Sequence, residues 1–109
     1  MNCRILKISD CALICLGPLT NIALALKTYP EFSQNIKEIY IMGGNINGIG
    51  NTTSSAEMNF YKDPEAAHIV LSTAECPITL LPWETCLDPD ITTVCLSKKK
   101  PLKKSKTIF

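Results

Sequence analysis

The sequence predicts an α/β fold, a Rossmann-like piece of parallel sheet, and two observations carry this prediction. First, residues 11–16, 36–42 and 78–81 are short, largely apolar segments of strand length. A continuous apolar run such as residues 11–16 is typical of a parallel strand buried on both faces. Second, residues 19–28 and 64–72 lie between these segments and have helical character. Strand, helix and strand in alternation predict parallel strands in one sheet, with helices packed on it.

Each predicted helix has a recognisable start. Pro18 stands where a first helical turn tolerates proline, and Tyr29 before Pro30 ends the helix. Apolar residues of this helix recur at helical spacing: Leu19, Ile22, Ala23 and Leu26. Asp63 is the expected N-cap of the second helix, with Pro64 at its first position. On that helix we expect three residues to face a core: Ala67, Val70 and Leu71. The connection 31–37 is polar, with room for a short turn of helix.

Composition limits the classes of function. The net charge of +1 argues against electrostatic binding of nucleic acid by the chain as a whole. No apolar run approaches the ~20 residues needed to span a bilayer, and we expect no membrane partner. The six cysteines include no C-x-x-C pair, which argues against a zinc site. Cys11 and Cys15 have the setting of small buried apolar residues. We therefore expect a cytoplasmic protein with free thiols.

The candidate site lies in residues 39–64. An apolar run stops at Gly43-Gly44, and Asn51, Glu57 and Asn59 follow in a loop. Polar loops at the carboxyl ends of parallel strands are the usual ligand sites of open α/β sheets. Amides donate and accept hydrogen bonds while a carboxylate only accepts, which suits a ligand rich in hydroxyls. Ordinary loop chemistry explains the same residue types, and a glutamate near a helix start can serve only as its cap.

The string MGGNINGIGNTTSSAEMNFYKDPEAA resembles the central motif of the inosine-uridine-preferring nucleoside hydrolases. The upstream LGPLTNIALAL and the downstream PITLLPWE are similar to segments of the same family, so the resemblance covers roughly residues 11–90. It implies a partial nucleoside hydrolase fold. It also implies a Ca²⁺-dependent enzyme that cleaves the N-glycosidic bond of ribonucleosides with water, giving ribose and free base in nucleoside catabolism and purine salvage. Family members are often homo-oligomers.

Residue roles follow from the resemblance. Asn51, Glu57 and Asn59 are expected to contact ribose hydroxyls, and the backbone carbonyl of Thr20 to be one Ca²⁺ ligand. Hard Ca²⁺ takes oxygen ligands, including carbonyls. Thr20 can equally be a plain helix N-cap, and both roles can hold at once. His68 is expected to be structural, since the leaving-group histidine of some relatives belongs to a later motif. Trp83 and Glu84, at a strand end, either border the site or only pack.

The sequence also departs from the family. The aspartate-rich D-x-D-x-G-x-D-D motif that supplies metal ligands and the water-activating base is absent, and the aspartates are Asp10, Asp63, Asp88 and Asp90. We therefore expect no catalytic residue in this chain and no Ca²⁺ bound by the chain alone. The prediction is an internal fragment or truncated isoform, with a partial domain at 1–90. Residues 91–109 form a divergent, lysine-rich and disordered tail in this prediction, with lysines at 98, 99, 100, 103, 104 and 106. The alternative is a non-catalytic α/β module that binds a nucleoside or a partner subunit.

Overall fold

A parallel three-stranded sheet is the centre of the fold. The structure is a computed structural model that describes residues 11–88. Strand β1 (Cys11–Cys15) pairs with β2 (Ile36–Met42), and β2 pairs with β3 (Ile78–Leu81), both in parallel. The sheet order is β1-β2-β3, so β2 lies in the middle. This arrangement confirms the predicted α/β class and the predicted parallel pairing.

Four α-helices and one 3-10 helix connect and follow the strands. Their bounds are α1 Thr20–Thr28, the 3-10 helix Pro30–Asn35, α2 Met58–Lys62, α3 Pro64–Thr73 and α4 Trp83–Cys86. Helix α1 begins one residue later than predicted because Leu19 is its N-cap. The sequence did not predict α2 and α4, which have five and four residues and are too short to show a helical period.

The core lies between the sheet and the helix pair α1 and α3. Ile39 and Ile41 of β2 and Val70 of α3 are fully buried there. The predicted spacing along α1 is confirmed, since Leu19, Ala23 and Leu26 are buried in the same cluster. The rest of the cluster consists of Cys15, Ala66 and Ala67. Burial of these apolar groups is the main favourable contribution to folding.

The opposite face of the sheet is open among the described residues. Ile14 of β1 pairs across to Tyr40 and stays 66% exposed. The prediction that residues 11–16 are buried on both faces is therefore wrong, because α1 and α3 both pack on the other face. A strand on this sheet presents alternate residues to its two faces, and only one set is covered.

Two smaller core assignments are also wrong. Leu71 is 41% exposed, whereas Ala67 and Val70 are buried as expected. The buried stripe of α3 runs through Ala66, Ala67 and Val70, and Leu71 lies beside it. Cys11 is exposed while Cys15 is buried. The pairing of β1 with β2 is irregular between Cys11 and Ala12, so Cys11 does not follow the alternation of the strand.

The remaining predictions concern residues outside this range. The boundary at residue 90 and the tail 91–109 lie outside residues 11–88, as do the thiols of Cys3 and Cys95. They stay predictions.

Within residues 11–88, no helix combines the length and the apolar character needed to cross a membrane.

Candidate functional site

The site residues follow the ends of two neighbouring strands. Thr20 comes after β1 and the loop with Asn51, Glu57 and Asn59 comes after β2. Because β1 and β2 are parallel, both segments lie at the carboxyl edge of the sheet. The chain turns sharply at Gly44, whose φ of 68° is a backbone conformation that glycine adopts without a steric penalty.

Glu57 is the N-cap of α2 and the one charged residue that is buried within residues 11–88. Its Oε1 accepts from the amide of Asn59 at 2.8 Å, and its Oε2 accepts from the amide of Phe60 at 3.1 Å. Oε2 also accepts from the amide of Gly44 at 2.9 Å, which ties the helix start to the end of β2. The side chain is 2% exposed. The capping role left open by the sequence is therefore real.

Asn59 is held against the end of β2. Its Nδ2 donates to the carbonyl of Met42 at 3.0 Å and approaches the Met42 Sδ at 3.4 Å. These contacts identify Nδ2 as the end of the amide that faces Met42. Oδ1 makes no hydrogen bond within residues 11–88 and is not among the enclosed polar atoms, so it keeps its acceptor capacity.

Asn51 also binds the amino-terminal end of α2. Its Oδ1 accepts from the amide of Met58 at 2.8 Å. That contact leaves the Nδ2 donor of Asn51 pointing away from the helix amide, and the side chain is exposed. Asn51, Glu57 and Asn59 thus meet at the start of α2, and each of them stabilises the backbone there.

Gly50 gives the loop its close packing. A Cβ at this position would lie 2.3 Å from the carbonyl oxygen of Thr53 and 2.4 Å from the amide nitrogen of Ala56. Both atoms belong to the backbone and cannot rotate away. The adjacent Asn51 amide donates to the carbonyl of Ala56 at 3.1 Å, so this turn places Asn51.

Gly50→Ala is therefore expected to lower the free energy of unfolding by about 1–3 kcal/mol, the usual cost of a forced backbone shift in a packed region. Urea unfolding measures it. Gly17→Ala is the matched control, because a Cβ at Gly17 meets nothing within 4 Å. Equal stability of the two variants would contradict the assigned role of Gly50.

Thr20 links α1 to the start of α3. Its hydroxyl donates to Oδ2 of Asp63, and Oδ1 of Asp63 accepts from the amide of Ala66 at 2.9 Å. Asp63 is thus the N-cap of α3, as predicted, with Pro64 at the first position. The N-cap of α1 is Leu19, so the alternative reading of Thr20 as a plain N-cap is wrong. Its hydroxyl serves a second helix instead.

The pKa of Asp63 is lowered from its ordinary value, first by the Thr20 hydroxyl and then by the Ala66 amide. A lowered carboxyl pKa gives stability that is present above the unfolded pKa and lost as pH falls through the folded one. In Thr20→Val we expect the pKa of Asp63 to rise towards its ordinary value. Thr20→Ser keeps the hydroxyl and should leave it lowered. NMR titration of the Asp63 carboxyl carbon measures both, and an unchanged pKa in Thr20→Val would contradict the account.

Residues 11–88 do not by themselves form a fitting Ca²⁺ site. No group of three or more His, Cys, Asp or Glu side chains in this range is placed to hold a metal ion. The Thr20 carbonyl offers one neutral oxygen, and Ca²⁺ takes 6–8 oxygen ligands, carboxylates among them. The Ca²⁺ expectations therefore stay predictions.

Two cavities flank this edge. One, of about 240 Å³, lies between α1 and α3 and includes Thr20 and Asp63 in its lining. The other, of about 210 Å³, has Gly43, Gly44 and Phe60 in its lining. Thr20 therefore lies near the end of α2, at Asp63, while the three loop side chains lie at its start. About 8 Å of helix axis separates the two ends, at 1.5 Å per residue.

Glu84 has a role that the sequence did not indicate. It belongs to α4, and its Oε1 accepts from the amides of Ile46 and Asn47. The signal available in the sequence was a carboxylate directly after a strand, opposite a glycine-rich loop. Asn45 stabilises the turn of this loop, since its Nδ2 donates to the carbonyls of Ile49 and Ser55. His68 lies exposed on α3, in the predicted helical setting.

The fold and the carboxyl-edge loop define an α/β protein of the nucleoside hydrolase class, and comparison with known proteins agrees. The family model of the inosine-uridine preferring nucleoside hydrolases matches residues 3–108. The chain belongs to this family. A crystal structure of an inosine-uridine preferring nucleoside hydrolase from Bacillus anthracis superposes with a TM-score of 0.66 at 34% identity, covering 70% of this chain and 26% of that one.

Curated relatives match the same part of the chain. An uncharacterized protein of Schizosaccharomyces pombe is 59% identical over 61 residues, which are 56% of this chain and 18% of the relative. The pyrimidine-specific ribonucleoside hydrolase RihA of Shewanella woodyi is 55% identical over 64 residues, 59% of this chain and 20% of the relative. The chain thus spans about a fifth of the length of these relatives.

Proposed function

We propose that this chain supplies the ribose-binding middle of a nucleoside N-ribohydrolase. The reaction cleaves the N-glycosidic bond of purine or pyrimidine ribonucleosides with water and gives ribose and the free base. Family membership supports the reaction class. The observation that carries the proposal is the meeting of Asn51, Glu57 and Asn59 at the start of α2, with polar groups left over for a ligand.

The unused groups match a sugar. Nδ2 of Asn51 can donate to a hydroxyl oxygen, and Oδ1 of Asn59 can accept from a hydroxyl. A carboxylate offers about four acceptor positions, and the three amides bound to Glu57 leave one on Oε1. The three side chains are held in place, because each is hydrogen-bonded to a backbone group. Rigid, preplaced polar groups bind a ligand at a lower cost in entropy.

The same groups suit the transition state. Glycosidic cleavage passes through a species like an oxocarbenium ion, in which the sugar ring becomes positive. An anionic Glu57 and oriented amide oxygens near such a ring stabilise it more than the neutral substrate. In this proposal these residues hold and stabilise the sugar, and activation of water falls to the aspartate-rich motif of the family. The setting that we propose is a cytoplasmic homo-oligomer in nucleoside catabolism and purine salvage.

A second candidate is a non-catalytic module that binds a nucleoside or a partner subunit. One observation favours it: within residues 11–88, the described hydrogen bonds of Asn51, Glu57 and Asn59 all serve the protein's own backbone, apart from the Met42 sulfur contact. Such residues can shape a binding loop without any reaction. The two candidates differ in turnover, which an assay decides.

The test is release of ribose from inosine and uridine by the purified chain in excess Ca²⁺. We expect no turnover by the chain alone, since general-base assistance contributes about 10²–10⁴-fold and its residue is missing from the sequence. A fusion of this chain to a segment that carries the family's aspartate-rich motif should release ribose. If the fusion protein releases no ribose, the non-catalytic binding module is favoured. Turnover by the chain alone that disappears in Glu57→Ala would show that the residues required for the reaction are wrongly assigned.

A further inference from the structure

The carboxylate of Glu84 fixes a loop that is distant in sequence. Oε1 accepts from the amide of Ile46 at 3.0 Å and from the amide of Asn47 at 2.8 Å. Next to it, the amide of Trp83 donates to the carbonyl of Gly44 at 2.9 Å. Three hydrogen bonds therefore hold the segment 44–47 against the chain that follows β3.

The same segment is held from the other side by Glu57. The Gly44 amide donates to Oε2 of Glu57, while the Gly44 carbonyl accepts from Trp83. Gly44 therefore stands between the proposed ribose-binding carboxylate and the chain that carries Glu84. Residues 45–47 are thus connected to Glu57 by a short path, through the neighbouring Gly44 and its hydrogen bond to the Glu57 carboxylate.

The two oxygens of Glu84 have different environments. Oε1 carries both amide contacts, whereas Oε2 is shut off from solvent and accepts no hydrogen bond within residues 11–88. The negative charge is therefore stabilised by the loop amides, and the pKa of Glu84 is lowered chiefly by the hydrogen bond from Asn47. A charge held in this way favours the loop conformation that supplies those amides.

We propose that Glu84 is a positioning residue for the ribose site. It holds residues 44–47 in the conformation in which Gly44 binds the Glu57 carboxylate, and so keeps Glu57 aimed beside Asn59. Glu84 acts through the loop and does not touch the sugar. The inference rests on the proposed function for the identity of the ligand, but its geometric part concerns Glu84, the loop and Glu57 alone.

The experiment compares Glu84→Ala, Glu84→Gln and the unaltered chain by NMR. Glu75→Ala is the matched control, because Glu75 is exposed and no hydrogen bond of its side chain is described. Hydrogen exchange of the Ile46, Asn47 and Gly44 amides reports on the loop, with the Ile41 amide in β2 as internal reference. Titration with uridine reports on the site.

In Glu84→Ala we expect exchange at Ile46 and Asn47 to rise about tenfold or more relative to Ile41, since their acceptor is charged and is lost. Gly44 should follow. Uridine affinity should fall about tenfold, because small misplacements of binding groups are costly. Glu84→Gln keeps an acceptor oxygen and should recover most of the protection and affinity. Glu75→Ala should change neither.

Unchanged exchange at Ile46 and Asn47 in a folded Glu84→Ala protein would overturn the proposal. A freed loop with unchanged uridine affinity would overturn it as well. If the unaltered chain binds no uridine, the proposed function fails, and exchange at Gly44 alone decides whether Glu84 holds the Glu57 contact. If Glu84→Ala does not fold, an acid titration of the unaltered chain decides. The Ile46 and Asn47 amide signals should then move together with one midpoint below the ordinary glutamate pKa, and independent movement would overturn the proposal.

Discussion

Glu57→Ala is expected to lower the free energy of unfolding by about 2–4 kcal/mol. An N-cap is worth about 1 kcal/mol, and a hydrogen bond to a charged group contributes about 1.5–3 kcal/mol. The substitution removes the acceptor of three amides, those of Gly44, Asn59 and Phe60. With Glu57 only 2% exposed, water reaches these amides poorly in the folded chain. Urea unfolding followed by circular dichroism measures the change.

A second variant at position 57 separates the capping contribution from the contribution of the charge, and a variant at an exposed glutamate serves as control. Glu57→Gln keeps one acceptor oxygen and should lose less stability than Glu57→Ala, while Glu75→Ala, an exposed glutamate, should stay within about 0.5 kcal/mol of the unaltered chain. If Glu57→Ala were as stable as Glu75→Ala, the carboxylate would not organise the start of α2. The ribose assignment would then lose the rigid frame on which it depends.

Ile39→Ala should also have a large effect, about 2–5 kcal/mol, the usual range for deleting a buried isoleucine side chain. Ile39 lies in the central strand β2 and is fully buried between the sheet and the α1–α3 helix pair. The cavity left behind is lined by groups that cannot collapse fully. Thermal and urea unfolding report the loss.

Ile49→Ala is the matched control for Ile39→Ala. The Ile49 side chain is 54% exposed in the loop, so its removal should change the free energy of unfolding by less than about 0.5 kcal/mol. Similar losses for both variants would mean that the helix pair does not form the core described for this chain.

The strands and the longer helices were predictable because their signals are local. Each signal lies within a few residues. An apolar run indicates a strand, while a proline after glycine and Asp63 before Pro64 indicate the start of a helix. The covered face of the sheet was not predictable in this way. Ile14 has an apolar side chain of the kind usually buried, yet it is exposed here, because burial depends on which helices pack against each face of the sheet.

The candidate site shows the same division. Asn51, Glu57 and Asn59 stand close together in sequence, so a local motif is enough to name them as candidates. The contacts of Thr20 with Asp63 and of Glu84 with Ile46 and Asn47 join residues about 40 positions apart. No local pattern encodes such pairs, and they follow from the order of parallel strands at one sheet edge.

The most direct test of the central claim is an NMR titration of the chain with uridine, followed on the side-chain amide signals of Asn51 and Asn59. We predict that both signals move saturably with uridine and stay unmoved by uracil, because the proposed contacts are to ribose hydroxyls. Loss of the response in Glu57→Gln, in a chain that stays folded, would place the carboxylate in the same site. Equal movement with uracil, or no movement at either asparagine at saturating uridine, would contradict ribose binding by these residues.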